Sequence, residues 1–201
     1  MNKKTIFISV SIGLVIVAIG DYLLFFRTNS SDTSSFAPVK ITKEVLGIAP
    51  STKNWKTYTD SVTGFSIKYP DTHTKQEVSN PSGLQIAFLP PEDKPRLQWK
   101  GFPFTVLFTP DANYVEIEKG LEVAKKGAEY YDEKSVIVSN ISGVEMKIGP
   151  NPNVGNSLHA IYVIIPYKNG RILFNTVALD KSQLEKEAVP LFNAFLSTFQ
   201  P

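Results

Sequence analysis

The residues able to do chemistry are few in this chain. It has two histidines and no cysteine. Without cysteine there is no disulfide, thiolate metal site, cysteine nucleophile or lipoprotein acylation site. His73 follows Asp71 by two positions, and Asp60 lies upstream. Those three could ligate a small metal ion, but scattered ligands of this kind more commonly belong to a solvated turn, and that reading is preferred. His159 opens an apolar run and would need a partner to move a proton, so it is expected to be a satisfied strand-end histidine. Glu92-Asp93 and Asp132-Glu133 are adjacent acidic pairs. They could hold calcium only if the fold brought them together with carbonyl oxygens, and charged surface turns look the same in sequence. No Gly-x-Ser-x-Gly elbow, phosphate-binding glycine loop or His-Glu-x-x-His pair occurs. The reading therefore assigns no catalytic residue, no metal site and no cofactor.

One uncharged stretch stands out, Gly149-Pro150-Asn151-Pro152-Asn153-Val154-Gly155-Asn156-Ser157. Uncharged loops of this length can serve recognition, which makes Asn151, Asn153 and Asn156 the candidate binding residues; a plain surface connection is the other reading. The stiff run from Pro90 to Pro95 is a second candidate loop, with the plain connection preferred there. Phe102, Phe104, Phe108, Tyr130 and Tyr131 could line a pocket, but at strand and helix spacing they read as core.

The elements that must position these residues follow from periodicity. Phe65, Ile67 and Tyr69 alternate with polar residues and Pro70 ends the run, the pattern of a half-buried strand. Residues 84–88 repeat it. Phe102, Phe104, Val106 and Phe108 share a face, and Pro103 places that strand at an edge or makes it start just afterwards. Ile117, Leu121, Ala124, Ala128 and Tyr131 recur at helical spacing, with Asp111 as N-cap and Glu116, Glu118, Lys119, Glu122 and Lys126 on the surface. Strands are expected around residues 136–138, 143–148, 159–165 and 171–179. Asn169-Gly170 between the last two predicts a hairpin whose central turn residues both have positive φ. Residues 160–165 are apolar on both faces, so that strand is expected to be central and covered on both sides. Leu184, Ala188, Leu191, Phe195 and Phe199 form the stripe of a C-terminal helix, which Pro190 must kink or restart. The fold class is α+β, a mainly antiparallel sheet packed against helices.

Before this domain, residues 5–26 are apolar enough to span a bilayer as one helix, about 33 Å at 1.5 Å per residue. Lys3 and Lys4 precede the segment and Arg27 follows it, which places the N-terminus in the cytoplasm and the rest outside. Asp21 sits near the outer end, where its insertion cost falls. The organisation expected is a cytoplasmic N-terminus over residues 1–4, a transmembrane anchor over 5–26, a flexible linker over 27–53 and an extracytoplasmic domain over 54–201. The alternative is a signal peptide cleaved after Ala18-Ile19-Gly20, which would leave a secreted domain. The formal net charge of +2 gives no field for nucleic acid. The partners expected are the lipid bilayer, through residues 5–26, and a protein or small ligand at the cell envelope.

The segment Trp55-Lys56-Thr57-Tyr58-Thr59, followed by Gly64-Phe65-Ser66-Ile67-Lys68-Tyr69-Pro70, resembles the opening of PsbP-like domains in bacterial exported or membrane-anchored proteins. The ending Leu191-Phe192-Asn193-Ala194-Phe195-Leu196-Ser197-Thr198-Phe199 is similar to the terminal helix of that group. The specific match lies at these two ends; the middle agrees in element order alone. In that group a tryptophan often follows the Tyr-Pro pair, where this chain has Asp71-Thr72-His73-Thr74. The resemblance implies an antiparallel sheet between helices, binding of proteins or ions, and no coherent enzyme class. Function does not travel with the fold. The expected role is a non-catalytic, membrane-tethered binding or accessory module. An exported hydrolase with an unrecognised site and a structural envelope protein are the alternatives.

Overall fold

The computed structural model describes residues 39–40, 50–80, 83–93, 98–99, 101–154 and 156–201. The expected anchor, residues 5–26, and most of the expected linker lie outside the described residues. Among the described residues no helix is long and apolar enough to cross a membrane.

The strands are β1 (Val39–Lys40), β2 (Lys56–Thr59), β3 (Ser66–Tyr69), β4 (Thr74–Asn80), β5 (Gly83–Leu89), β6 (Glu92–Asp93), β7 (Gln98–Trp99) and β8 (Phe104–Pro110). Helix α1 (Asp111–Lys126) follows, then β9 (Tyr131–Val138), β10 (Ile141–Ile148), β11 (His159–Tyr167) and β12 (Gly170–Ala178). The chain ends in a helical run made of α2 (Lys181–Gln183), a π-turn (Leu184–Ala188) and α3 (Val189–Leu196). Eight strands form one sheet in the order β1-β9-β10-β11-β12-β8-β5-β4. Every pairing in it is antiparallel except β1 with β9. β2 and β3 form a separate hairpin, as do β6 and β7.

Alternation decides which residues each face buries. Ile161, Val163 and Ile165 of β11 enter the larger core, with Phe65, Phe88, Phe104, Phe174, Phe192, Phe195 and Phe199. Ile164, on the opposite face, packs with Ile117, Leu121, Met146, Ile148 and Leu173 beneath α1. The strand expected to be covered on both sides is so covered. The larger core is aromatic: Phe104 and Phe195 stack at 4.8 Å between centroids, 14° from parallel. Each fully buried phenylalanine contributes about 1.5–3 kcal/mol, so this cluster dominates the stability of the domain.

Several expectations are corrected. Asp111 is the first helical residue and not the cap, because Pro110 occupies the cap position and has no side-chain oxygen to offer. Tyr131 leaves the helical stripe and opens β9, since α1 ends at Lys126 and the chain must reverse. The hairpin at Asn169-Gly170 exists, but its two loop residues are Lys168 and Asn169, with Tyr167 paired to Gly170. Positive φ falls on Lys168, at 53°. Gly170 serves the sheet instead: a Cβ there would meet the Thr109 carbonyl oxygen of β8 at 2.4 Å. Pro190 restarts the terminal helix, one residue into α3, and the preceding turn widens to π geometry, with the Val189 N–H donating to the Leu184 carbonyl. Pro103 immediately precedes the strand and does not mark an edge, since β8 starts at Phe104 and lies between β12 and β5.

Candidate functional site

Helix α1 packs on β12 and β8, and beside it a groove of about 460 Å³ runs over the neighbouring strands. Its helical wall is Tyr114, Glu118, Leu121, Glu122 and Lys125, spaced so that they share one helix face. From the first to the last, this wall is about 16 Å long at 1.5 Å per residue. The floor is apolar and comes from β10 and β11, where Val144, Met146 and Ile164 line it. Glu133 of β9 and Arg171 of β12 complete the lining and reach the helical wall at Lys125 and Tyr114.

The charges along this groove are unequally committed. Lys125 Nζ lies 2.7 Å from Glu122 Oε1 and 3.3 Å from Glu133 Oε2, and 4.9 Å from the Tyr131 ring centroid. Partial burial pulls the Lys125 pKa down, but the hydrogen bonds and charges of Glu122 and Glu133 outweigh it and leave it above the ordinary lysine value. Arg171 lays its guanidinium 4.4 Å from the Tyr114 ring centroid. Its Nε makes no hydrogen bond and stands 3.8 Å from Asp111 Oδ1. Burial raises the Tyr114 pKa, and the neighbouring Arg171 charge opposes that rise. Glu118 is exposed and makes no ion pair among the described residues. Glu118 therefore keeps an unpaired charge, whereas Lys125, Glu122 and Arg171 have already paired theirs.

The histidines lie elsewhere. His73 is not a solvated loop residue: it is 6% exposed, with Nε2 2.9 Å from the Phe102 carbonyl oxygen and Nδ1 3.2 Å from Thr72 Oγ1. Its ring stacks on Phe104 at 5.6 Å. Burial lowers its pKa, against the raising effect of the Phe102 carbonyl. Asp60 is buried and closes the β2–β3 turn, accepting from the Thr63 backbone N–H at 2.5 Å, from the Thr63 hydroxyl and from the Tyr58 hydroxyl at 3.3 Å. Burial, then the Asp60 charge, pushes the Tyr58 phenol up. Asp71 is exposed, and its carbonyl oxygen accepts from Lys56 Nζ at 2.6 Å. His73 and Asp60 thus have structural tasks of their own, while Asp71 is engaged through its backbone. Among the described residues no three His, Asp or Glu side chains gather as a metal site. His159 gains the partner that its sequence context did not name. Its Nδ1 lies 2.9 Å from the Tyr130 hydroxyl, the two rings stack at 5.7 Å, and Lys181 Nζ is 4.4 Å from the Tyr130 centroid.

The asparagine loop closes on itself. Asn151 and Asn156 exchange backbone hydrogen bonds at 2.9 and 3.1 Å around a 3-10 turn over Pro152–Val154. The Asn151 side chain donates from Nδ2 to the Ala124 carbonyl at 3.2 Å and accepts from the Asn153 N–H at 3.1 Å. Asn156 Oδ1 accepts from the Leu158 N–H at 2.9 Å. Asn153 alone of the three is exposed. Of the acidic pairs, Glu133 turns to Lys125, while Glu92–Asp93 form β6 of the separate β6–β7 ribbon.

Sequence reasoning missed Tyr114, Arg171 and Lys125 and placed Glu118 and Glu122 on the plain helix surface. The one available signal was that Tyr114, Glu118 and Lys125 flank Leu121 of the apolar stripe at helical spacing.

No protein-family model matches the chain, and no curated protein matches it. Among solved structures, the chain is similar to cyanobacterial PsbP from Synechocystis sp. PCC 6803, with 15% identity over 77% of this chain and 94% of that one, and a TM-score of 0.48. It is also similar to a Pseudomonas aeruginosa protein of unknown function, with 15% identity over 73% of this chain and 96% of that one, and a TM-score of 0.41. These likenesses concern the fold.

Proposed function

We propose that this chain is a membrane-tethered extracytoplasmic binding or accessory module, non-catalytic, whose binding surface is the groove beside α1. The observation that carries the reading is the groove itself, an apolar floor between charged walls. That composition suits a docking surface: apolar area supplies the affinity and a few placed charges supply the orientation. The settings of the two histidines, away from the groove, argue against a hydrolase. His73 is packed on Phe104, where its Nε2 serves the Phe102 carbonyl. Tyr130 does face His159, but burial, then Glu185 and Glu129, raise its pKa, the opposite of what an activated nucleophile needs. The tether rests on residues 5–26, whose length and flanking charges suit an anchor with the domain outside.

Two measurements test the reading. The intact mass of the protein in the carbonate-resistant membrane fraction should be that of the uncleaved chain; a soluble exported form lacking about 20 residues refutes the anchor. A photo-crosslinking residue at the exposed groove position Ser142 should trap one specific neighbour in intact cells, while the same residue at exposed Thr57 should not. Equal labelling from both positions refutes the groove as the binding surface.

A further inference from the structure

We infer that the α1 side of the sheet carries a second site, a row of uncharged hydrogen-bonding groups that takes a neutral oligosaccharide. The row lies apart from the groove and stands independently of it. Strand register builds it: Gln76 pairs with Ala87, Ala87 with Thr105, Thr105 with Asn175 and Asn175 with Tyr162. Phe88, Phe104 and Phe174, next along their strands, enter the larger core. Alternation therefore turns Ala87, Thr105 and Asn175 to the other face, where Tyr162 packs. At about 4.8 Å between strands, the row from Gln76 to Tyr162 is about 19 Å long. Its mark is unused hydrogen-bonding capacity. Asn175 is 4% exposed and Thr105 8% exposed, and neither side chain has a hydrogen-bond partner among the described residues. Gln76 Oε1 is buried and also lacks one. The Tyr162 hydroxyl makes no hydrogen bond among them either, and burial pushes its pKa up to about 12, which keeps it a neutral donor and acceptor. Nearly all buried polar groups in proteins are paired, and an unpaired one costs stability. Several in one row, on one face, are accounted for by a ligand that completes their bonds.

The composition of the row selects the ligand class. The amides of Gln76 and Asn175 and the hydroxyls of Thr105 and Tyr162 both donate and accept, as sugar hydroxyls do. The next row on the same face, Gln85, Leu107 and Leu173, is uncharged too, and so are Leu89 and Val177 on its other side. A nucleotide, a phosphate or an acidic sugar would bring a charge that meets no counter-charge there. An acyl chain would cover the row and leave its polar groups unpaired. An extended peptide laid along the row turns like backbone groups to one side only at every second residue, about 6.6 Å apart, out of step with strands about 4.8 Å apart. Sugar rings carry hydroxyls at their edges and C–H groups on their faces, which suits a polar row bordered by half-buried Leu89, Leu107 and Val177.

The test titrates the full chain with neutral trisaccharides of glucose, mannose and N-acetylglucosamine, beside a uronic-acid trimer and a neutral Gly-Ser hexapeptide. At least one neutral trisaccharide is expected to bind saturably, and more tightly than the uronic-acid trimer or the peptide. Asn175→Leu and Thr105→Val should each weaken that binding at least ten-fold. Both should leave the thermal midpoint equal to the parent's or raise it, because each removes a buried polar group that has no partner in the free protein. That combination, lost binding with retained or increased stability, separates a ligand site from a structural role. Glu118→Gln, in the groove, should leave the sugar affinity unchanged. Saturable binding of none of the neutral trisaccharides, binding that survives both row substitutions, or peptide or uronic-acid binding as tight as that of the sugar overturns the inference. So does a lowered midpoint in both row variants, which would mean that these groups already serve the fold. The groove reading is tested by crosslinking from Ser142 and is untouched by any of these results.

Discussion

Asn151→Ala is expected to destabilise the domain by about 2–3 kcal/mol. The residue is 1% exposed, and its side chain joins two separate pieces of chain. Nδ2 donates to the Ala124 carbonyl, which lies in the last turn of α1, where carbonyls have no helical donor. Oδ1 accepts from Asn153 N at 3.1 Å and so shapes the loop. Gly127 is part of the same contact, since a Cβ there would meet Asn151 Oδ1 at 2.4 Å. Each hydrogen bond is worth about 0.5–1.5 kcal/mol net, and truncation leaves a cavity and an unpaired Ala124 carbonyl at a part-buried helix end. Against a total of about 5–15 kcal/mol this is a large loss, equivalent to about 4–12 °C in Tm for a domain of this size. Urea denaturation gives the free energy, and hydrogen exchange should show the final turn of α1 opening while its first turns stay protected. Asn153→Ala, on an exposed side chain, should leave stability within about 0.5 kcal/mol. If Asn151→Ala is as stable as the parent and unchanged in exchange, the side chain is not a pin and the loop is better read as a recognition surface.

Other perturbations probe the rest of the structure. His73 has a pKa below the ordinary histidine value, with burial the main cause, so on acidification the unfolded chain takes up its proton first. Its neutral ring contributes stability fully above about pH 6.5, and this is lost at up to about 1.4 kcal/mol per pH unit as pH falls towards the folded value. Urea midpoints between pH 7.5 and 5 should show this slope, and His73→Gln should flatten it; an unchanged slope assigns the acid sensitivity elsewhere. Gly170→Ala should cost about 1–3 kcal/mol through its clash with the Thr109 carbonyl, although its φ is ordinary, whereas Asn169→Ala should be mild; equal midpoints for the two would refute the close-approach argument. Glu145 is 5% exposed at its side chain and paired to Lys134 at 2.8 Å, the lysine itself being 42% exposed. Lys134→Met should therefore cost about 1–3 kcal/mol, and adding Glu145→Met should recover most of it; a double variant no better than the single one means the carboxylate was not the source of the loss.

Much of this fold can be read locally. β3, β5, β8, α1 and the β11–β12 hairpin follow from alternation or helical spacing within short windows, because a strand or helix must turn one set of its own side chains inward. β4 is the longest of the strands that periodicity does not reveal. It is an edge strand with Lys75 and Glu77 exposed and ion-paired at 2.5 Å, and an edge strand carries charge to deter further pairing. Its polar sequence looks like a loop for the same reason that it works as an edge. The burial of His73 is hidden on similar grounds: the residues around it are polar, and only the return of Phe102 and Phe104 from about thirty positions away buries its ring.

By itself the sequence determined the class of the domain, the both-sided burial of β11, the aromatic core and the break at Pro190, since each depends on residues close along the chain. It also carries the expected anchor over residues 5–26. Only the tertiary structure decided that Arg171 comes to rest on Tyr114, that His159 meets Tyr130 and that Asn151 caps α1. These pairs are separated by 57, 29 and 27 positions. Each depends on strand register and on where α1 settles over the sheet, quantities set by the simultaneous packing of both cores and by no local pattern.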